Sequence, residues 1–141
     1  MSSKPYFLDS NIWLYVLLYD QDAQDINRKR ERAISLTNGE RSVVSTQVIN
    51  EVCVNLLRKA AFSENQIKEL IQDFYDRCTV IELNLEILTV ASDLRLRYGF
   101  SFWDGLIVAS ALYANLDVLY SEDMQDGLIV YEKMEIVNPF K

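Results

Sequence analysis

The sequence predicts an α/β protein: a three-layer α/β/α sandwich around a mostly parallel central sheet of roughly four to five strands. Three observations lead there. Short apolar or β-branched runs alternate along the chain with segments of helical periodicity, and strands alternating with helices imply a parallel sheet covered on both faces. The chain has 141 residues, half of them apolar, enough to bury one core and too few for two comfortable ones. With only 4 Gly, 2 Pro and no repeat or low-complexity tract, nothing divides it, so residues 1–141 read as a single domain.

The elements follow in order. "PYFLD" (5–9) is a short strand ending in an acid, and "SNIWLYVLLY" (10–19) is a helix with Ser10 as its cap. A polar helix over 23–37 stops at Asn38 and Gly39, and "SVVS" (42–45) has the β-branched content of a buried strand. In "TQVINEVCVNLLRKAA" (46–61), Val48, Val52 and Leu56, flanked by Ile49, Cys53 and Leu57, form one apolar face; Gln47, Glu51, Asn55 and Arg58 fall opposite. "SENQIKELIQDFYDRC" (63–78) opens on a Ser63-x-x-Gln66 capping box, and "TVIEL" (79–83) reads as a third strand. A helix over 85–98 ends at Gly99; Ser101 opens the next, which carries Asp104 and runs directly into "DVLYS" (117–121). After the loop "EDMQDG" (122–127), "EIVNPF" (135–140) is a candidate fifth strand.

Composition excludes several chemistries. With no histidine, Ser-His-Asp hydrolysis, imidazole acid/base catalysis and nearly every zinc site are ruled out. Cys53 and Cys78 lack ligand spacing and read as reduced packing thiols. A formal charge of −7 argues against a generic nucleic-acid binder, because phosphate affinity comes from excess Lys and Arg. The N-terminal stretch lacks a charged segment followed by a long apolar one, and the apolar run at 12–19 is too short to cross a bilayer. The expected location is therefore cytoplasmic, without membrane attachment.

Asp104 stands among Phe102, Trp103, Leu106, Ile107 and Val108, where a carboxylate is costly unless something compensates it. In open parallel sheets, sites form beyond the carboxyl ends of the strands. Asp9 ends the first strand, and Asp123 follows the fourth. Glu51 lies within two turns of the start of the helix after "SVVS". The helix of Asp104 feeds the fourth strand and runs antiparallel to it, so its N-terminus reaches the same edge. Each acid alone has an ordinary explanation: Asp104 in a Ser101-x-x-Asp104 capping box, Glu51 on a polar stripe, Asp9 and Asp123 as cap or loop acids. Their convergence is the signal, because four carboxylates without a matching cationic cluster repel one another unless a multivalent cation neutralises them. All-oxygen ligation suits Mg2+ or Mn2+, which activates water for phosphoryl displacement.

These segments resemble the motifs of the PIN domain family, most closely its VapC-like toxin ribonucleases. "FLDSNIWLY" is similar to the first motif, with Asp9 as metal ligand and Ser10 and Asn11 as supports. "STQVINEVCVNL" resembles the second, with Glu51 in the acidic position. "SFWDGLIVASAL" resembles the third, with Asp104 as ligand, and "LYSEDMQDG" the fourth, with Asp123 as its acid and Ser121 nearby. Ser10 stands where the family often has Thr, and Asp126 is an extra acid of lower rank. The resemblance implies a catalytic and metal-binding set of Asp9, Glu51, Asp104 and Asp123. It also implies Mg2+ or Mn2+ dependence, endoribonuclease activity, homodimerisation, and an antitoxin partner that occupies the acidic cleft.

The one basic cluster, "NRKRER" (27–32), places Arg28 and Arg32 on one helix face as candidate RNA contacts, although such runs are more often solvated surface. Rival folds fit less well. A haloacid-dehalogenase-type phosphatase wants a second Asp where this chain has Asn11, and a receiver-type domain wants a Lys motif that Lys133 does not supply. The alternative of another class is a catalytically silent PIN domain that binds protein or RNA.

Overall fold

The computed structural model describes residues 4–18 and 24–141. Residues 19 and 23, the predicted end of the first helix and start of the second, lie outside that range. The elements run β1 (Tyr6–Leu8), α1 (Ser10–Leu17), α2 (Gln24–Thr37), β2 (Ser42–Ser45), α3 (Thr46–Lys59), α4 (Glu64–Arg77), β3 (Thr79–Ile81), α5 (Leu85–Tyr98), α6 (Phe102–Tyr113), β4 (Val118–Tyr120), β5 (Ile129–Val130) and β6 (Met134–Val137).

The strands form one sheet in the order β3-β2-β1-β4-β6-β5. All pairings are parallel except β5 with β6. From β1 through β2 to β3 the chain moves one way across the sheet; it then crosses back over to β4, on the far side of β1. Right-handed crossovers place α1 to α4 on one face and α5 and α6 on the other. Phe7, Leu8, Val44, Leu119 and Ile136 are fully buried between these layers, which is why the strands read as apolar runs without alternation. Ile12, Val48, Val52 and Leu56 close the core from one side, and Ile87, Leu94, Ile107 and Val108 from the other. Among the described residues no helix is long and apolar enough to cross a membrane.

Several predicted details change. The sheet has six strands rather than four to five, because residues 129–130 pair antiparallel with β6, and β6 begins at Met134 and ends at Val137 instead of spanning 135–140. The hairpin joining them was not readable from composition: Tyr131 and Glu132 both have positive φ, 52° and 56°, where Gly or Asn is usual. Tertiary contacts hold that turn. The Tyr131 N–H donates to the Tyr98 hydroxyl at 2.8 Å, and the two rings meet at 5.8 Å. The first helix is capped by Asp9 rather than Ser10: Asp9 is extended and its carboxylate accepts the Ser10 N–H. Gln47, expected on the polar side of α3, is buried at 7% exposure, whereas Leu57 on the apolar side is 37% exposed. The Ser63–Gln66 capping box is present with both of its bonds.

Candidate active site

The reversal of strand order falls between β1 and β4, where open parallel sheets leave a crevice at their carboxyl edge. Leu8 pairs with Tyr120, so Asp9 and Ser121 leave the sheet side by side, and the Asp9 N–H donates to the Tyr120 carbonyl at 3.0 Å. Asp9 is buried and both its oxygens are engaged. Oδ1 accepts the Ser10 N–H at 2.7 Å; Oδ2 accepts the Ser121 hydroxyl at 2.8 Å and the Asn11 amide at 3.4 Å. The same Asn11 nitrogen donates to Asp123 Oδ2 at 3.1 Å, while Asn11 Oδ1 accepts the Glu122 N–H at 3.2 Å. Asn11 thus ties the end of β1 to the loop after β4 and holds two carboxylates across the crevice.

Two helices bring the remaining acids from opposite faces of the sheet. The Ser45 hydroxyl caps α3 on the Val48 N–H, and Glu51 lies in the second turn. The Ser101 hydroxyl caps α6 on the Asp104 N–H at 3.1 Å. Gln47 joins the two helix ends: its Nε2 reaches Glu51 Oε2 at 3.4 Å and the Trp103 carbonyl at 3.2 Å. Sequence reading missed Gln47 as part of this edge, although its position four residues before Glu51 on one helix carried the signal. It also missed Glu122. That side chain accepts Lys29 at 2.6 Å and the Tyr15 hydroxyl at 2.7 Å, so it anchors the loop carrying Asp123.

The PIN domain family model matches residues 6–126, which include all of these side chains. The chain belongs to the PIN domain family. Solved structures similar to this PIN domain include a toxin-antitoxin complex from Klebsiella pneumoniae, at 18% identity and a TM-score of 0.69, covering 95% of this chain and 97% of that one. A VapC toxin of Mycobacterium tuberculosis described as cleaving the sarcin-ricin loop aligns at 14% identity and a TM-score of 0.60, over 81% of this chain and 86% of that one. A VapBC complex of Rickettsia felis bound to a DNA fragment from its promoter aligns at 18% identity and a TM-score of 0.58, over 84% and 86%. A search of curated proteins finds no match. At these identities the likeness is one of fold.

The electrostatics of this PIN domain's carboxyl edge are those of crowded acids. Burial pushes the Asp9 carboxyl up to about 7; the Ser121 and Ser10 hydrogen bonds oppose this, and the charges of Glu51 and Asp104 add to it. Burial also raises Glu51, opposed by Gln47 and Ser10 and reinforced by Asp104 and Asp123. Asp104 is raised by burial first and by Asp123 in addition. No Lys or Arg is among the groups acting on any of these three. The donor chemistry is all oxygen and suits a hard divalent ion. Among the described residues, however, no three acidic or thiol side chains are drawn together as a ready-made ligand group.

Other predicted residues are held elsewhere. Asp126 accepts the Asn138 N–H at 2.8 Å and lies 4.0 Å from Lys141, so it is tied to the C-terminal segment. Arg28 donates to the Phe140 carbonyl at 2.8 Å and to Asp25 at 3.0 Å, and Arg32 donates to the Pro139 carbonyl at 3.4 Å. Both arginines therefore clamp the chain end against α2. Cys53 and Cys78 are free thiols, each pushed up by burial.

Proposed function

We propose that this PIN domain is a divalent-metal-dependent endoribonuclease and the toxin of a toxin-antitoxin pair. The observation that carries the reading is the convergence of Asp9, Glu51, Asp104 and Asp123 on one sheet edge from four separate segments, where Glu51 and Asp104 act on Asp9, and Asp123 acts on Glu51 and Asp104. Acids so placed are destabilising in themselves, and they become useful when a Mg2+ or Mn2+ ion binds between them. Family membership and the toxin-antitoxin structures of similar fold support the same reading.

In this reading Asp9, Asp104 and Asp123 would hold the ion, and Glu51, with the longer side chain, would bind it or orient a water. A divalent ion held there would supply polarisation of a water and compensation of charge on a phosphate. The protein's own groups set the geometry. Asn11 fixes the separation of Asp9 and Asp123, Ser121 and Ser10 aim Asp9, Gln47 aims Glu51, and the helix dipole at the start of α6 favours an ionised Asp104. An antitoxin would act by covering this edge, and a homodimer would set two such edges on one particle.

The test is incubation of the purified protein with total cellular RNA, with Mn2+ or with chelator, beside an Asp104→Asn control, mapping every new RNA end. We expect discrete ends that require both the metal and Asp104. No new ends from folded, antitoxin-free protein would favour the silent binding module; ends unaffected by chelator or by Asp104→Asn would place the chemistry elsewhere.

A further inference from the structure

Beside the acids, and sharing Glu51 with them, lies an open cleft of about 450 Å³ whose walls include Gln47, Asn50, Val54, Leu83 and Trp103. Its volume is that of a small-ligand site, roughly 300–1,000 Å³. Trp103 immediately precedes Asp104, yet it is 60% exposed, and its neighbour Phe102 is 56% exposed. Exposed aromatic rings in the first turn of a helix contribute little to the core and call for another explanation. The two rings meet edge to face at 5.1 Å, and the Arg95 guanidinium lies over Phe102 at 4.2 Å while donating to the Phe102 carbonyl at 3.1 Å. A guanidinium and two rings thus stand in a row that ends at Trp103 on the cleft wall. Gln47 is already committed within the wall. Both groups its Nε2 reaches are acceptors, which fixes the amide orientation and leaves Oε1 buried without a donor.

We propose that this cleft is a nucleobase subsite: a base next to the scissile phosphate of a single-stranded RNA stacks on Trp103, and its edge is read by the exposed amide of Asn50. The inference rests on the ribonuclease reading and names the part of the substrate that this edge selects. Charge favours a base as the occupant. A chain of net charge −7 gains little from phosphates, and its acids repel them, so affinity must come from neutral contacts. Stacking on aromatic and guanidinium planes is the sequence-tolerant contact available to unpaired RNA, and base-edge amides add selectivity.

The experiment uses tryptophan emission, since Trp103 is exposed and the other tryptophan, Trp13, is only 7% exposed. A short single-stranded RNA of mixed sequence is added to the Asp104→Asn protein, which leaves it uncut. We expect quenching that disappears in the additional Trp103→Ala variant, persists in moderate salt and weakens when the stacked nucleotide is made abasic. In the otherwise unaltered enzyme, Trp103→Ala should raise KM roughly 5- to 150-fold with a smaller change in kcat, and Trp103→Phe should restore most of it. Metal-dependent cleavage with no quenching and an unchanged KM would overturn the subsite and leave the ribonuclease reading intact. Trp103-dependent quenching without any cleavage would do the reverse. A Trp103 shielded from acrylamide before RNA is added, with Trp103→Ala converting a dimer to monomers, would also overturn the subsite and assign the ring to a second copy of the chain.

Discussion

Of the four acids at the carboxyl edge, Asp9 alone is buried. Burial holds its carboxyl near 7, above the ordinary 3.8, so the fold binds this proton more tightly than the unfolded chain does. The stability this group contributes is complete below about 3.8 and falls as pH rises through about 7. Glu51 and Asp104, also raised, act in the same direction. We expect chelator-treated protein to melt at a lower temperature near pH 8.5 than near about pH 5.5, and Asp9→Asn to flatten that dependence; thermal unfolding across pH checks it, and an unchanged or rising Tm would refute it. Asn11→Ala should leave the fold and lower cleavage roughly 10- to 100-fold, since it removes the bridge between Asp9 and Asp123 without removing an acid. The placement of these four acids at the carboxyl edge was readable in the sequence because strand ends and helix starts can be located from apolar runs and capping residues. The bridging role of Asn11, the buried Gln47 and the loop anchor Glu122 were not, since each depends on partners that only folding brings within reach.

The helices with strong caps and clear apolar faces, α3 to α6, were found close to their observed bounds, because capping and periodicity are local properties. The β5–β6 hairpin was hidden for the opposite reason. Its turn places Tyr131 and Glu132 at positive φ, a local cost met by contacts with Tyr98 some thirty residues away. Gly105 shows how close packing of two helices reaches the carboxyl edge of the sheet. A Cβ there would stand 2.9 Å from Arg95 Cγ and 3.2 Å from the Ala91 carbonyl, so glycine lets α6 approach α5 and lays Arg95 against Phe102. Gly105→Ala should destabilise the protein by roughly 1–3 kcal/mol and displace Arg95 from Phe102. Denaturant unfolding checks this, and a neutral effect would show that the α5–α6 contact relaxes freely.

The order of strands across the whole sheet gathers these parts. With β1 and β4 adjacent and their crossovers on opposite faces, Asp9 and Asp123 meet in the plane of the sheet, Glu51 comes from the α1 to α4 layer and Asp104 from the α5 and α6 layer. The sequence indicated the parallel sheet and the edge where the acids meet; β5 stayed unread because it is only two residues long. A fold that concentrates acids so should bind a divalent ion more readily than it binds protons near neutral pH. The decisive measurement is a Mn2+ titration of the purified protein by calorimetry, repeated with Asp9→Asn and Asp104→Asn. Saturable binding accompanied by proton release, and lost in both variants, is the expected result. Equal Mn2+ binding by all three proteins, or none by the native one, would contradict a metal site at this edge.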